Sequence, residues 1–308
     1  MSALSSYEIV GKKEDISDVI SNISNRKVAF TTLIKGPVKV NNTLFQWQED
    51  ALAAPDLNNA AVEGATFVDA NLTPTVMRNN YTQILTKTVN VAETTDVVGT
   101  YGRAKQIAYE LGKKSEEIKI DLESIYLSGQ TAVAGSSSVA RKMNSFQAQV
   151  DASLRYATGG ATTTPALADI KTAQRDLMGY GARINTVLLP YTDADALAGF
   201  TTTPNGKFVR QIPNSGAASE GIVDVVDFTV TQYGRVDYVL SIFALSTDWF
   251  LFDPAMWEKK VLRPWTRETL AKTSDSTRMS IVGEYSLAHK NQKASAVIRK
   301  VTGTNGKF

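Results

Sequence analysis

Between Arg103 and Leu127 the apolar residues Ala104, Ile107, Ala108, Leu111, Ile118, Leu122 and Ile125 recur mostly at steps of three, four and seven. On an α-helix with 3.6 residues per turn these positions form one stripe. Lys105, Lys113, Lys114, Glu117, Lys119 and Glu123 are expected on the other face. Gly99 and Thr100 punctuate the start and Ser128-Gly129 the end. At 1.5 Å per residue, roughly 25 residues make a helix ~37 Å long, well above the usual length. With one apolar face it must lie across the surface of another layer, and the stripe is expected to pack on a sheet.

The flanking sequence supplies strands rather than more helices of this kind. Residues 1–42 read as an arm, with apolar residues dispersed among Ser, Asn, Lys and Asp, and with little core of its own. From Thr43 to Glu49, Phe45 and Trp47 share one strand face and Gln46 and Gln48 the other. LAAPDLNNAAVEGATFVDANLTP follows, small, polar and turn-rich, too long for an ordinary hairpin loop. Thr75 to Val91 is β-prone again, rich in Thr, Val, Ile and Tyr. Two strands around a weakly hydrophobic tip describe a projecting hairpin over residues 43–92.

Past the long helix, Thr164–Gly179 reads as a helix capped by Thr164, Ile184–Leu189 as a buried strand and Thr192–Phe200 as a short helix. A long loop with an Asn205-Gly206 turn leads to strands at 221–230, 235–243 and 249–252. Residues 278–288 and 294–301 look like a final strand pair. Strands and helices in blocks, without strict alternation, give an α+β class.

Chemistry is short of reagents. There is no cysteine, which excludes disulfides, thiolate metal sites and a cysteine nucleophile, and one histidine, His289. LAHKNQK makes that histidine a solvent-facing turn residue, not a catalytic base. No phosphate-binding glycine loop, HExxH zinc motif or GxSxG elbow is present. Glu116/Glu117 read as a solvated helix face and Asp193/Asp195 as helix-opening carboxylates. The chain is therefore expected to be no enzyme and to need no cofactor or metal. A net charge of +2 carries no field for nucleic acid, and the longest apolar run, Val239–Leu245, is far too short for a membrane helix. One basic-aromatic cluster, Trp257, Lys259, Lys260, Arg263, Trp265 and Arg267, has the composition of a nucleic-acid contact, but two prolines and two acidic residues dilute it and a protein–protein contact ranks first.

Arm, projecting hairpin, long one-faced helix, mixed domain and closing strands follow the order of the tailed-phage major capsid protein with the Hong Kong 97 fold. FQWQEDAL, NNAAVEG and NNYTQILTKTVNVAETT are similar to the extended loop of that family. YGRAKQIAYELGKKSEEIKIDLESIYLSG resembles its spine helix, and FTVTQYGRVDYVLS, WFLFDPAMWEKKVLRPWTRETLAKTSDSTR and VGEYSLAHKNQKASAVIRKV its late strands. The resemblance implies an N-terminal arm (1–42), an extended loop (43–92), a peripheral domain (93–135 and 275–308) with the spine helix at about 103–127, and an axial domain (136–274). It implies a head protein of a tailed bacteriophage, assembling as hexamers and pentamers into an icosahedral shell around double-stranded DNA. The implied partners are other copies of itself, scaffolding, portal and cement proteins, with DNA met without sequence preference and no membrane. The place implied is the virion, after assembly in the host cytoplasm. A cellular nanocompartment shell is the alternative that the same fold serves; an enzyme, or a tail or fibre β-protein, ranks behind both. Trp47, Glu63, Arg78, Arg263 and Trp265 are the expected assembly contacts.

Overall fold

The computed structural model describes residues 27–66, 69, 72–98, 105–198, 200, 227–272, 274–302 and 306–308. In chain order the elements are α1 (Ala29–Leu33), β1 (Lys35–Lys39), β2 (Leu44–Glu49), β3 (Val76–Tyr81), β4 (Gln83–Ala92), α2 (Glu93–Val97), α3 (Gln106–Tyr126), α4 (Phe146–Gln149), β5 (Arg155–Ala157), α5 (Leu167–Gly179), β6 (Thr186–Pro190), α6 (Ala194–Ala198), β7 (Phe228–Thr231), β8 (Gly234–Ser241), β9 (Asp248–Phe252), β10 (Trp257–Thr269), β11 (Ser276–His289) and β12 (Ser295–Arg299). The strands make a four-stranded sheet, β1-β10-β11-β4, a six-stranded sheet, β5-β12-β9-β6-β8-β7, and a separate pair, β2-β3. Helices and strands come in blocks, so the class is α+β as expected.

The long helix lies on β4 and β11. Leu111, Ile118 and Leu122 are buried there, with Ile107 and Ile125 packed against the same core. Described helix runs 21 residues from Gln106; Gly99, Thr100, Arg103 and Ala104 lie outside the described residues. Tyr126 anchors the far end, its hydroxyl donating to the Ser286 carbonyl at 3.1 Å.

The buried arc is wider than the stripe because the chain's own early residues cover it. Glu123, expected on the solvent side, is fully buried beneath α1. Its Oε1 accepts from the Phe30 amide at 2.6 Å and its Oε2 from the Thr31 amide at 2.8 Å. The Thr31 hydroxyl donates to the same carboxylate. Burial pushes the Glu123 carboxyl up, while bonds from Thr31 and Phe30 and the charge of Lys259 pull it back. The described part of the arm is therefore docked in its own subunit. Phe30 meets Tyr126, Phe146, Phe252 and Trp257 edge-on at 5.4–6.0 Å between ring centres. The expectation of an arm with little core fails at Ala29, Phe30 and Ile34, which are buried, whereas 35–42 is exposed or half-buried, and residues 1–26 lie outside the described residues.

The β-prone run from Thr75 is two strands. At Thr82 the chain changes sheets, since β3 pairs with β2 and β4 with β11. The Thr82 side chain is buried and donates to Glu284 Oε1 at 2.6 Å, which fixes the corner. The expected final strand pair does not form. β11 pairs with β10 and β4, whereas β12 inserts between β9 and β5 in the other sheet. Physically, Ser295–Ile298 is buried on both faces and requires a sheet interior. Sheet membership thus crosses the expected divide at 274/275, with β10 in the four-stranded sheet and β12 in the six-stranded one.

Smaller differences are local. Helix α5 begins at Leu167, and the Ala166 amide donates to Asp169 Oδ2 at 2.8 Å, so Thr164 is not its cap. β6 is buried throughout, as its apolar run predicts. The loop around Asn205-Gly206 and residues 221–226 of the next expected strand lie outside the described residues.

Candidate functional site

The two-stranded stem β2-β3 is a rigid mount for a loop with no packing. In the stem, Phe45 stacks on Trp47 at 5.7 Å, and Trp47 stands opposite Arg78 in the register. Buried polar groups bond the stem into the subunit at both ends, Asn80 beside the corner at Thr82 and Glu49 where the tip begins. Asn80 is completely buried, its Nδ2 donating to the Leu287 carbonyl at 2.7 Å and its Oδ1 accepting from the Asn144 amide at 2.8 Å. Glu49 Oε1 accepts from the Gln292 amide at 3.0 Å, and Oε2 accepts from Arg78 Nε at 2.9 Å. At the corner, Glu284 collects Arg141, Arg263 Nε at 3.1 Å and the Thr82 hydroxyl. Arg141 Nε also donates to the Thr82 carbonyl at 2.6 Å. Each buried acceptor has a donor, so this network holds geometry and leaves no reactive group open.

Beyond Glu49 the chain changes character. Every residue from Asp50 to Thr66 is exposed, and none belongs to a helix or strand. Leu52, Leu57, Val62 and Leu72 stand in solvent, Leu52 at full exposure. Gly64 turns the tip with a φ of 79°, a left-handed conformation that suits glycine. Of the five expected contact residues, Glu63 alone sits in this tip. Arg78 and Arg263 have carboxylate partners within the subunit, Glu49 and Glu284. Trp265 lies on Gly283, where a Cβ would overlap its ring, with the Tyr285 ring 4.4 Å away. Trp47 is half-buried, and its indole Nε1 finds no acceptor.

His289 departs most from the sequence reading. It is buried, not solvent-facing, and stacks on Trp257 at 4.0 Å with 5° between the planes. Trp257 Nε1 donates to Ser295 Oγ at 3.0 Å, and Ser295 Oγ lies 2.9 Å from His289 Nε2. The Gln149 carbonyl beside Nδ1 can only accept, so Nδ1 carries the ring hydrogen and Nε2 is left to accept from the Ser295 hydroxyl. Nδ1 then donates to the Gln149 carbonyl at 3.3 Å. Burial holds the imidazole at about 3, against an ordinary 6.5, so it is neutral. The hydroxyl beside it, Ser295, is fully buried and bonded to both Trp257 and the ring.

The carboxylate pairs also separate. Glu116 and Glu117 bind Lys119 and Lys114 on the helix surface at 2.9 and 2.7 Å. Asp193 is buried, accepting from Trp249 Nε1 at 2.7 Å and from Lys300, while Asp195 is exposed. Among the described residues, no three acidic or histidine side chains gather as a metal site, and no helix is long and apolar enough to cross a membrane.

Comparison with known proteins accounts for a molecule with a bonded stem and an unpacked tip. A solved structure from Microbacterium phage Oxtober96 has the same fold, with a TM-score of 0.63 at 13% identity over 94% of this chain and 95% of that one. The holo-SrpI encapsulin complex from Synechococcus elongatus PCC 7942 gives 0.59 at 11% identity over 95% and 93%. Fold likeness alone therefore does not separate a phage head from a cellular shell. Sequence does. A curated major capsid protein of Escherichia phage Phieco32 is 30% identical over 97% of each chain. The model of the SU10 major capsid protein family matches residues 3–302. The chain belongs to that family, and it is a major capsid protein of a tailed phage with the Hong Kong 97-like fold.

Proposed function

We propose that copies of this chain assemble as hexamers and pentamers into an icosahedral shell enclosing double-stranded DNA. The carrying observation is the contrast between a stem bonded into its subunit and an exposed tip bearing Leu52, Leu57 and Val62. A segment of this kind gains cover and order from another copy, and the same contact recurs around the shell. In this reading the four-stranded sheet with α3 is the peripheral domain and the six-stranded sheet the axial domain. Trp47, Glu63, Arg78, Arg263 and Trp265 lie at or beside the subunit contacts. A net charge of +2 suits a wall that does not hold DNA during ejection. Separate scaffolding, portal and cement proteins complete the particle, which forms in the host cytoplasm and becomes the virion. The chain catalyses no reaction in this role.

The test is deletion of Ala53 to Leu72. The variant should keep the circular dichroism of the folded subunit and lose, or weaken, closed shells in sedimentation and negative-stain microscopy. A misfolded variant would place the tip in the core, and shells of normal stability would show that it makes no important contact.

A further inference from the structure

We propose that residues 306–308 are an edge guard: laid along the outer side of β5, they keep the end strand of the six-stranded sheet from pairing with a second copy of this chain. This goes beyond the shell reading, because it concerns the subunit before any shell contact is made.

β5 opens the strand order β5-β12-β9-β6-β8-β7 and has a strand, β12, on one side only. On its other side the Ala157 amide and the Arg155 carbonyl face outward, where they bond residues 306–308. A charged side chain often blunts such an edge. Here Arg155 is folded back, its Nε and Nη2 donating to the Val150 carbonyl at 3.2 and 2.8 Å. Tyr156 is buried and Ala157 carries no charge, so β5 itself does nothing to repel an incoming strand.

Residues 306–308 take that side. Lys307 stands opposite Tyr156 in an antiparallel bridge. The Ala157 amide donates to the Gly306 carbonyl at 2.9 Å, and the Phe308 amide donates to the Arg155 carbonyl at 3.4 Å. Side chains fix the register on both faces. Lys307 lies over its directly opposed neighbour, with Nζ 3.4 Å from the centre of the Tyr156 ring. The same Nζ donates to the Ser153 carbonyl and lies 3.9 Å from Asp176 Oδ2, which accepts from the Tyr156 hydroxyl at 2.8 Å. The Phe308 ring lies 4.5 Å from the Arg299 guanidinium, which Asp248 holds with two bonds of 2.7 Å. Gly306 has a φ of 72°, which lets the backbone turn onto the edge.

The competitor for this place is another β5. Two such strands can pair antiparallel, with Tyr156 at the twofold axis and Arg155 opposite Ala157. That contact is isologous and closes on itself as a dimer, whereas rings of subunits form from head-to-tail contacts. A segment of the chain's own, always present at high local concentration, outcompetes it.

The test compares unassembled wild type with a variant lacking 306–308, with Lys307→Glu and with Lys307→Arg. At low concentration the Ala157 amide should exchange hydrogen at least about tenfold faster in the deletion variant and in Lys307→Glu, and at the wild-type rate in Lys307→Arg. Circular dichroism should show all four folded. As concentration rises, sedimentation should reveal dimers of the deletion variant but not of the wild type, and slow exchange at Ala157 should return as those dimers form. Fast exchange at Ala157 in the wild type would overturn the proposal, since the segment would then not hold the edge. A deletion variant that stays monomeric would overturn it by showing that the edge needs no guard, and one that unfolds would make 306–308 part of the core. Dimers in which Ala157 still exchanges fast would assign the contact to another surface and overturn it too. A wild type that forms no shells would remove the shell reading and leave the guard standing.

Discussion

His289 is the sole histidine, so its ionisation can be followed without assignment. The folded subunit holds it at about 3, and an unfolded chain returns it to about 6.5. Charging the ring would place a cation against Trp257 and Gln149 in a site that water does not reach, and would replace the Nε2 acceptor of Ser295 with a second donor. Because the folded value is depressed, the stability linked to the neutral ring is present above about pH 6.5 and drains as pH falls toward about 3. Each pH unit in that window removes about 1.4 kcal/mol, or roughly 5 kcal/mol across it, a large share of a typical domain's stability. The assay is urea denaturation of the unassembled subunit at steps from pH 7 to pH 4, wild type beside His289→Gln. Carboxylates contribute alike to both, so the difference isolates the ring. The variant should be less stable at neutral pH and should lose stability less steeply on acidification. Parallel curves, or a ¹⁵N histidine resonance of the folded subunit that titrates near 6.5, would falsify the buried neutral assignment.

Four further outcomes test the packing and the charges. Leu122→Ala should cost ~2–5 kcal/mol in denaturation, because that side chain is buried under the sheet. Glu123→Ala strips the acceptor from the Phe30 and Thr31 amides, at about 1–3 kcal/mol for each buried donor, and should expose 27–34 to limited proteolysis; unchanged cleavage would mean the carboxylate does not hold α1. Burial disfavours the charge of Glu258, but Lys260 and Lys290 outweigh it and hold the group at about 2, so the pair's contribution persists above about pH 4.5 and disappears as pH falls through about 2. Glu258→Gln should flatten the stability curve below pH 4.5, and an unaltered curve would rule the pairing out. Finally, Gly283→Ala should cost ~1–3 kcal/mol by driving a methyl into Trp265, and Gly283→Ala with Trp265→Ala should cost less than the sum of the two single changes.

The long helix was legible because Ile107, Leu111, Ile118, Leu122 and Ile125 encode one face locally, and the tip because Leu52 to Leu72 lacks the apolar density to pack. Glu123 was not, since a carboxylate between Leu122 and Ile125 looks solvated until Phe30 and Thr31 arrive from 92–93 positions away. His289 misled for the same reason: LAHKNQK is polar around it, yet Trp257 and Gln149 enclose it from other elements. The corner network was beyond local reading. Thr82, Arg141 and Arg263 reach Glu284 from 202, 143 and 21 residues away, and no spacing rule links them. β12 betrayed its sheet by being apolar on both faces, a signal that order along the chain overrode.

Phe30 has a mechanical consequence. Its ring touches Phe252 in the six-stranded sheet, Trp257 at the start of β10 in the four-stranded sheet, and Tyr126 on the long helix. The Trp257–Ser295–His289 bonds tie the same two sheets together a few ångströms away. A junction this dry and interlocked cannot flex without opening a cavity, so the two sheets must turn as one body. Copies in places of unequal curvature then share one interior, and the difference between places falls on what lies outside it. The tip beyond Glu49 has the freedom to change angle there, which makes it the compliant joint of an otherwise stiff tile.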